Sequence, residues 1–168
     1  MRKEMVDIVD DDDRVIGKAD INEVTARKLL FRVARIIVVN SQGKIFVHQR
    51  QHSMMVFPGH YDFGAAGIVS SGESYLQAAT RELAEELGIR NTAMKEIGRF
   101  RHERQTRTLN AVFLCMHDGP VTLQEEEIIH GRFMTQREIE ALAKKEKMHP
   151  GGMIAYGMYV ERRDEKKT

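Results

Sequence analysis

The rhythm of apolar and polar positions changes along the chain, and each change marks an element. Val6–Ile8 and Val15–Ile16 flank the run Asp10–Asp13, which predicts two short strands around a tight polar turn. Consecutive aspartates on a turn point in different directions, so the tip reads as solvated and not as a cation site. Ile21–Leu30 is weakly helical. Val33–Val39 and Ile45–Gln49 are strand-like runs joined by Asn40-Ser41-Gln42-Gly43, which predicts a central hairpin. The segment 58–72 is dense in glycine and predicts irregular backbone beside something that binds. Ser74–Leu87 then shows helical periodicity, with Leu76, Ala79, Leu83 and Leu87 as one apolar stripe. Ser74 suits the N-cap, Gln77 its capping-box partner, and Gly88 the stop. Strands are expected near Met94–Arg101 and Leu109–Met116, and a helix over Gln136–Lys145. His149-Pro150-Gly151-Gly152 reads as a break before a last helix, Met153–Arg162.

Strands and helices therefore mix, and a central hairpin is hard to reconcile with an all-parallel sheet. The class is α/β (α+β), with a mixed sheet between helices. At 168 residues the chain is the size of one domain. Its expected parts are an N-terminal hairpin extension over 4–30, a core over 31–145 and a C-terminal helix over 153–163. Twenty-six Lys and Arg against 25 Asp and Glu leave a net charge of +1, so no global field gathers nucleic acid or an anionic membrane. No apolar run approaches the roughly 20 residues of a membrane span. The N-terminus turns acidic within a few residues and lacks the apolar stretch of a secretory leader, so a cytoplasmic location is expected. The single cysteine, Cys115, sits in the apolar run AVFLCM and reads as a buried, inert thiol.

The chemistry concentrates on the 74–87 helix. At 100° per residue Glu82, Glu85 and Glu86 fall within about 100° of arc, beside the apolar stripe and not opposite it. Carboxylates three and four apart repel, more so when half buried, unless a cation lies between them. Hard oxygen donors at this density suit Mg²⁺ or Mn²⁺, which keep waters and bridge to phosphates. On composition alone, a solvated acidic helix face is about equally good.

The spacing separates the two. Gly67 is followed after five residues by Glu73, and after seven more by Arg81-Glu82-Leu83; then come Glu85-Glu86 and Gly88-Ile89, each after one further residue. This pattern resembles the Nudix box of the Nudix hydrolase superfamily at every specified position, a coincidence expected about once in 10⁹ windows at average residue frequencies. The resemblance implies an αβα sandwich with a mixed central sheet and a loop–helix–loop catalytic unit. It implies hydrolysis of a diphosphate joined to another moiety, with a divalent cofactor, Mg²⁺ or Mn²⁺. It further implies that Glu82, Glu85, Glu86 and the Gly67 carbonyl bind metal, that one glutamate deprotonates the attacking water, and that Arg81, paired with Glu73, orients the glutamates. Many relatives add a carboxylate from a downstream loop. Here the run Glu125-Glu126-Glu127 supplies the candidates, Glu126 or its neighbour Glu127.

The flanks VDIVDDDDRVIGKAD, LLFRVARIIVV and FPGHYDFGAAGIV resemble the branch that holds type I isopentenyl-diphosphate isomerase and its YfcD-like hydrolase cousins. The resemblance raises isomerisation as a rival. That reaction needs a proton donor and acceptor on opposite faces of an allyl carbon. Alignment on the shared motifs puts Ala66 at the isomerase cysteine, Ile68 and Phe31 at its histidines, and Thr106 and Thr108 at its glutamates, so the resemblance favours the hydrolase. A catalytically silent diphosphate-binding protein is a third reading, disfavoured by the intact glutamates. The implied partner is a small-molecule diphosphate. His48, Arg50 and His60 border the cleft in such a fold and are candidate substrate contacts, and Arg99, Arg101, Arg104 and Arg107 gather around an expected loop at 101–107. Many relatives dimerise, so a homodimer is compatible with the resemblance.

Overall fold

The computed structural model describes residues 4–168; the first three residues of the N-terminal stretch lie outside it. Among the described residues nine strands and four helices follow in the order β1 (Met5–Val9), β2 (Val15–Asp20), α1 (Ile21–Ala26), β3 (Leu30–Val39), β4 (Ile45–Arg50), β5 (Tyr61–Phe63), β6 (Ala65–Ile68), α2 (Tyr75–Leu87), β7 (Met94–Glu103), β8 (Arg107–Met116), β9 (Ile128–Met134), α3 (Gln136–Ala143) and α4 (Pro150–Glu165). β3 is the axis of the molecule. It runs parallel to β8 along its whole length, and β7 pairs antiparallel with β8. Its other edge is shared: residues 33–36 pair with β6, while only Val39↔Ile45 joins it to β4. The predicted central hairpin is thus closed for a single pair. Beyond it β4 leaves β3 and takes β5 and β9 as partners.

Gly64 makes this divergence possible. It lies between β5 and β6, where the chain crosses from β4 to β3, with φ at +53°. A Cβ there would sit 1.8 Å from the Ile36 carbonyl oxygen, so only glycine allows the crossing. The segment expected to be irregular therefore contains two strands, β5 and β6. They are short and interrupted by glycine, which masks their period. β9 lacked a strand signal altogether, because its exposed positions Ile129, His130 and Arg132 break the alternation.

One core lies between the sheet and α2, built from Ala34, Ile36, Val38, Ala111, Phe113 and Cys115 against Ala78, Ala79, Leu83 and Leu87. A second lies on the opposite face under α3 and α4, around Ile37, Ile45, Val112, Ile139 and Tyr156. A third, smaller one holds Val6, Ala19, Val24 and Phe31 beneath the β1–β2 hairpin. Helix–sheet–helix layering is thus present, and Cys115 is fully buried as expected.

Three expectations need correction. Leu76 is not part of the apolar stripe: it is half exposed, and Tyr75 turns inward in its place. His149-Pro150-Gly151-Gly152 does not break the chain. His149 caps α4, its Nδ1 accepting from Gly151 N and Gly152 N, and Pro150 takes the first helical position. The 101–107 segment is mostly strand, since β7 and β8 extend to Glu103 and from Arg107. Ion pairs of Arg101 and Arg107 with Glu103 hold the ends together.

Candidate functional site

Local chemistry fixes the start of α2. Ser74 Oγ accepts from Gln77 N at 3.1 Å, and the Gln77 side chain accepts from Ser74 N at 2.8 Å, which closes a capping box. Gly88 ends the helix in the left-handed region at φ +66°. Ahead of the cap, Ser70–Glu73 form a tight turn, with Glu73 N donating to Ser70 O and Gly72 at φ +84°. The turn brings the Glu73 carboxylate back to receive Ser70 N at 3.0 Å.

Arg81 organises the acids around it. Its Nε and Nη2 grip both oxygens of Glu73 at 2.8 and 2.9 Å, the two-point geometry that only a guanidinium provides. Nη2 also donates to the Ile68 carbonyl at 3.0 Å, tying the helix to β6. Nη1 reaches Glu82 Oε1 at 2.5 Å and, less closely, Glu85 Oε2 at 3.4 Å. Hydrogen bonds to Glu73, and then to Glu82, raise the Arg81 pKa, while the Arg81 bond lowers that of Glu73.

The remaining acids are left undercompensated. Burial, with the charges of Glu85 and Glu127, lifts the Glu82 pKa to about 7 despite the bond to Arg81. Glu86 is buried at 4% exposure, and burial, Glu82, Glu127 and Asp62 together raise its pKa well above the usual carboxylate range. Among the described residues its carboxylate receives one hydrogen bond, from Ala66 N at 3.4 Å. Gly67 passes so close to Glu82 that a Cβ would fall 2.0 Å from its carboxyl carbon, so a side chain at 67 would displace the glutamate. Glu85 is more exposed, on the rim.

In the downstream acidic run Glu126 points into solvent, whereas Glu127 is half-buried. Glu127, and not Glu126, is among the charges that act on Glu82 and Glu86. Burial first, then Glu85, Glu4 and Glu126, raise its own pKa. Of the other candidates, Arg50 donates to the Phe57 and Val56 carbonyls at 3.2 and 2.9 Å and braces the loop after β4. His60 bonds back to Pro58 O. His48 is buried, burial depresses its pKa to about 4, and its Nδ1 has no partner among the described residues. Arg99 and Arg101 are paired to Glu96, Asp13, Asp11 and Glu103, so they are neutralised.

The sequence pattern gave no sign that a second polar group is buried between β3 and β5, where Asp62 would read as an exposed polar residue. Arg35, Asp62, Asn110 and His149 are all buried there. Arg35 Nε donates to Asn110 Oδ1 at 3.0 Å, and Arg35 Nη1 lies 3.4 Å from Asp62 Oδ2. Gly151 and Gly152 let the first turn of α4 close over this pair, since Cβ atoms there would lie 2.5 Å from Arg35 Nη2 and 1.9 Å from Asp62 Oδ1. The glycines that resembled a break are a close-packing contact.

Among the described residues no three His, Cys, Asp or Glu side chains already converge as an ion cage. The donor set still fits a hard divalent cation: several carboxylates, two of them in buried positions with raised pKa values, beside a backbone that only glycine permits.

A family profile described as the NUDIX domain matches residues 29–156. The chain belongs to the Nudix family. An uncharacterized Nudix hydrolase of Yersinia pestis is 37% identical over 163 residues, 96% of this chain and 88% of the relative. The YfcD Nudix hydrolase of Escherichia coli K12 is 34% identical, over 95% and 88% of the two chains. The crystal structure of DR0079 from Deinococcus radiodurans superposes with a TM-score of 0.80 at 24% identity, covering 93% of this chain and 99% of that one. The protein is therefore a Nudix hydrolase of the YfcD-like branch with the Nudix αβα fold. No helix among the described residues is long and apolar enough to cross a membrane.

Proposed function

We propose that this Nudix hydrolase cleaves the diphosphate of a nucleoside diphosphate joined to another moiety, or of a similar organic diphosphate, with Mg²⁺ or Mn²⁺ as cofactor. One observation carries the reading. Arg81 saturates Glu73 and half-satisfies Glu82, while burial and the charge of Glu127 raise the pKa of both Glu82 and Glu86 in a partly dry site. Acids held in this way are driven towards their neutral form, and a cation between them would reverse that.

Glu82, Glu85, Glu86 and the Gly67 carbonyl would hold the metal, and Glu127 replaces Glu126 as the downstream acid. A divalent ion bound there would offset the charge of the diphosphate oxygens and make the attacking water more acidic. The residues do the rest. Glu73 and Arg81 fix the carboxylate nearest Gly67. Glu82 or Glu86, ionised beside the metal, would accept the proton of the attacking water. Ala66 and Thr108 offer no acid–base pair across an allyl carbon, so isomerisation is not proposed.

The test is turnover of a panel of organic diphosphates with Mg²⁺ and with Mn²⁺, read as released phosphate or nucleotide. Glu86→Gln should lose on the order of a hundredfold or more in kcat, at least what the loss of a supporting contact to a metal ligand costs. Equal turnover by parent and variant would remove Glu86 from the site.

A further inference from the structure

The stretch that matches the family profile begins at residue 29, so the β1–β2 hairpin lies outside it. That hairpin is nonetheless built into the junction between the Gly67 strand and the catalytic helix. Val6 forms a bridge with Ser70, and Ser71 N donates to Met5 O at 2.8 Å. The Asp7 carboxylate takes two donors from the turn before α2: Ser71 Oγ at 2.6 Å and Gly72 N at 3.1 Å. On its inner side the same turn is held by Glu73, which accepts from Ser70 N and is itself gripped by Arg81.

The hairpin tip secures the next residue along. Asp13, the last of the aspartates expected to be solvated, is mostly buried and accepts from Arg32 Nε at 2.6 Å, Tyr75 Oη at 3.1 Å and Arg99 Nη1 at 3.2 Å. Tyr75 is the first residue of α2, and Arg99 also lies over its ring, 4.6 Å from the centroid. Residues 70–75 are thus held from outside by β1 at one end and by the hairpin tip at the other.

We propose that the β1–β2 hairpin is a positioning element of the catalytic unit and that Asp7 is its positioning residue. Asp7 acts through Ser71 and Gly72 on the turn that aims Glu73, and through Glu73 and Arg81 on Glu82. It touches neither the metal-binding carboxylates nor the reacting atoms. A charge-assisted pair of hydrogen bonds onto a glycine turn restrains a segment that otherwise has few buried contacts of its own. This inference rests on the hydrolase reading for its kinetic consequence, but not for its structural one.

The experiment compares the parent with Asp7→Ala, Asp7→Asn, Ser71→Ala and, as a control on the same hairpin, Arg14→Gln, whose side chain is exposed. Two quantities are read: amide hydrogen exchange over 70–73 in the metal-free protein, and kcat and KM with Mg²⁺ on whichever diphosphate the parent turns over. Asp7→Ala should speed exchange in the turn about tenfold and lower kcat about tenfold with KM within twofold, as expected for a misaimed catalytic group. Asp7→Asn, which keeps an acceptor oxygen, should recover most of both. Arg14→Gln should match the parent. Unchanged exchange in the turn overturns the proposal, as does an equal fall in kcat for Arg14→Gln. If Asp7→Ala does not fold, Ser71→Ala decides by the same criteria. A parent that hydrolyses nothing in the panel refutes the hydrolase reading, and the exchange data then decide the positioning role alone.

Discussion

Asp62 and Glu86 are both carboxylic acids with almost no solvent exposure, 1% and 4%, yet their surroundings drive them in opposite directions. Burial alone would raise the pKa of each. At Asp62 the charges of His149, Arg35, His48 and Arg50 outweigh burial, and the pKa falls to about 2. Phe63 N satisfies Oδ1, and Arg35 faces Oδ2. At Glu86 the neighbours are Glu82, Glu127 and Asp62, so their charges add to burial and the pKa rises. The contrast separates two kinds of buried acid. The first faces cations and is paired. The second faces other carboxylates and receives one hydrogen bond among the described residues.

Breaking the paired acid should have the largest effect on folding. Asp62→Asn leaves Arg35 buried without its partner and should destabilise the protein by about 3–5 kcal/mol, measured by urea unfolding. The double variant Asp62→Asn/Arg35→Met should recover much of that loss. A cost below about 1 kcal/mol would mean the pair is not a structural one.

The pH dependence of the metal-free protein separates the two regions by sign. Glu82 titrates at about 7 in the fold against 4.5 in an unstructured chain. Its contribution to stability is therefore full below pH 4.5 and is lost as pH rises through about 7, on the order of 2–3 kcal/mol. Asp62 behaves oppositely: its contribution stands above 3.8 and is lost as pH falls through about 2. Urea midpoints from pH 2 to 8 should show both slopes. Glu82→Gln should lessen the upper slope, the rest coming from Glu86 and Glu127, whose pKa values are also raised, and a metal-free parent equally stable at pH 5 and pH 8 would contradict the assignment.

The smallest effect sharpens the role of Arg81. Arg81→Lys keeps the charge but cannot hold both oxygens of Glu73 and Glu82 together, so kcat should fall about tenfold with the unfolding midpoint little changed. Activity within twofold of the parent would show that charge alone suffices.

The acid-bearing helix α2 was legible in the sequence because its determinants are local. Ser74, Gln77 and Gly88 act within one turn of the helix ends, and Glu82, Glu85 and Glu86 lie three and four residues apart on the helix. The β4 departure from β3 was not legible, because it depends on Gly64 meeting Ile36 from another strand. The same holds for His149-Pro150-Gly151-Gly152, whose role appears only when Arg35 and Asp62 lie beneath it. In the acidic run, composition cannot distinguish Glu126 from Glu127, since only burial and the direction each faces separate them.

By itself the amino-acid order determined the family, the reaction class and the helix that bears the acids, since spacing along a helix converts directly into a shared face. Tertiary structure alone decided which acids are neutralised and which stay unsatisfied, and that the N-terminal hairpin grips the turn ahead of α2. Those outcomes depend on electric fields and hydrogen bonds between residues as far apart as Asp7 and Ser71, and such distances vanish only when the chain has closed on itself.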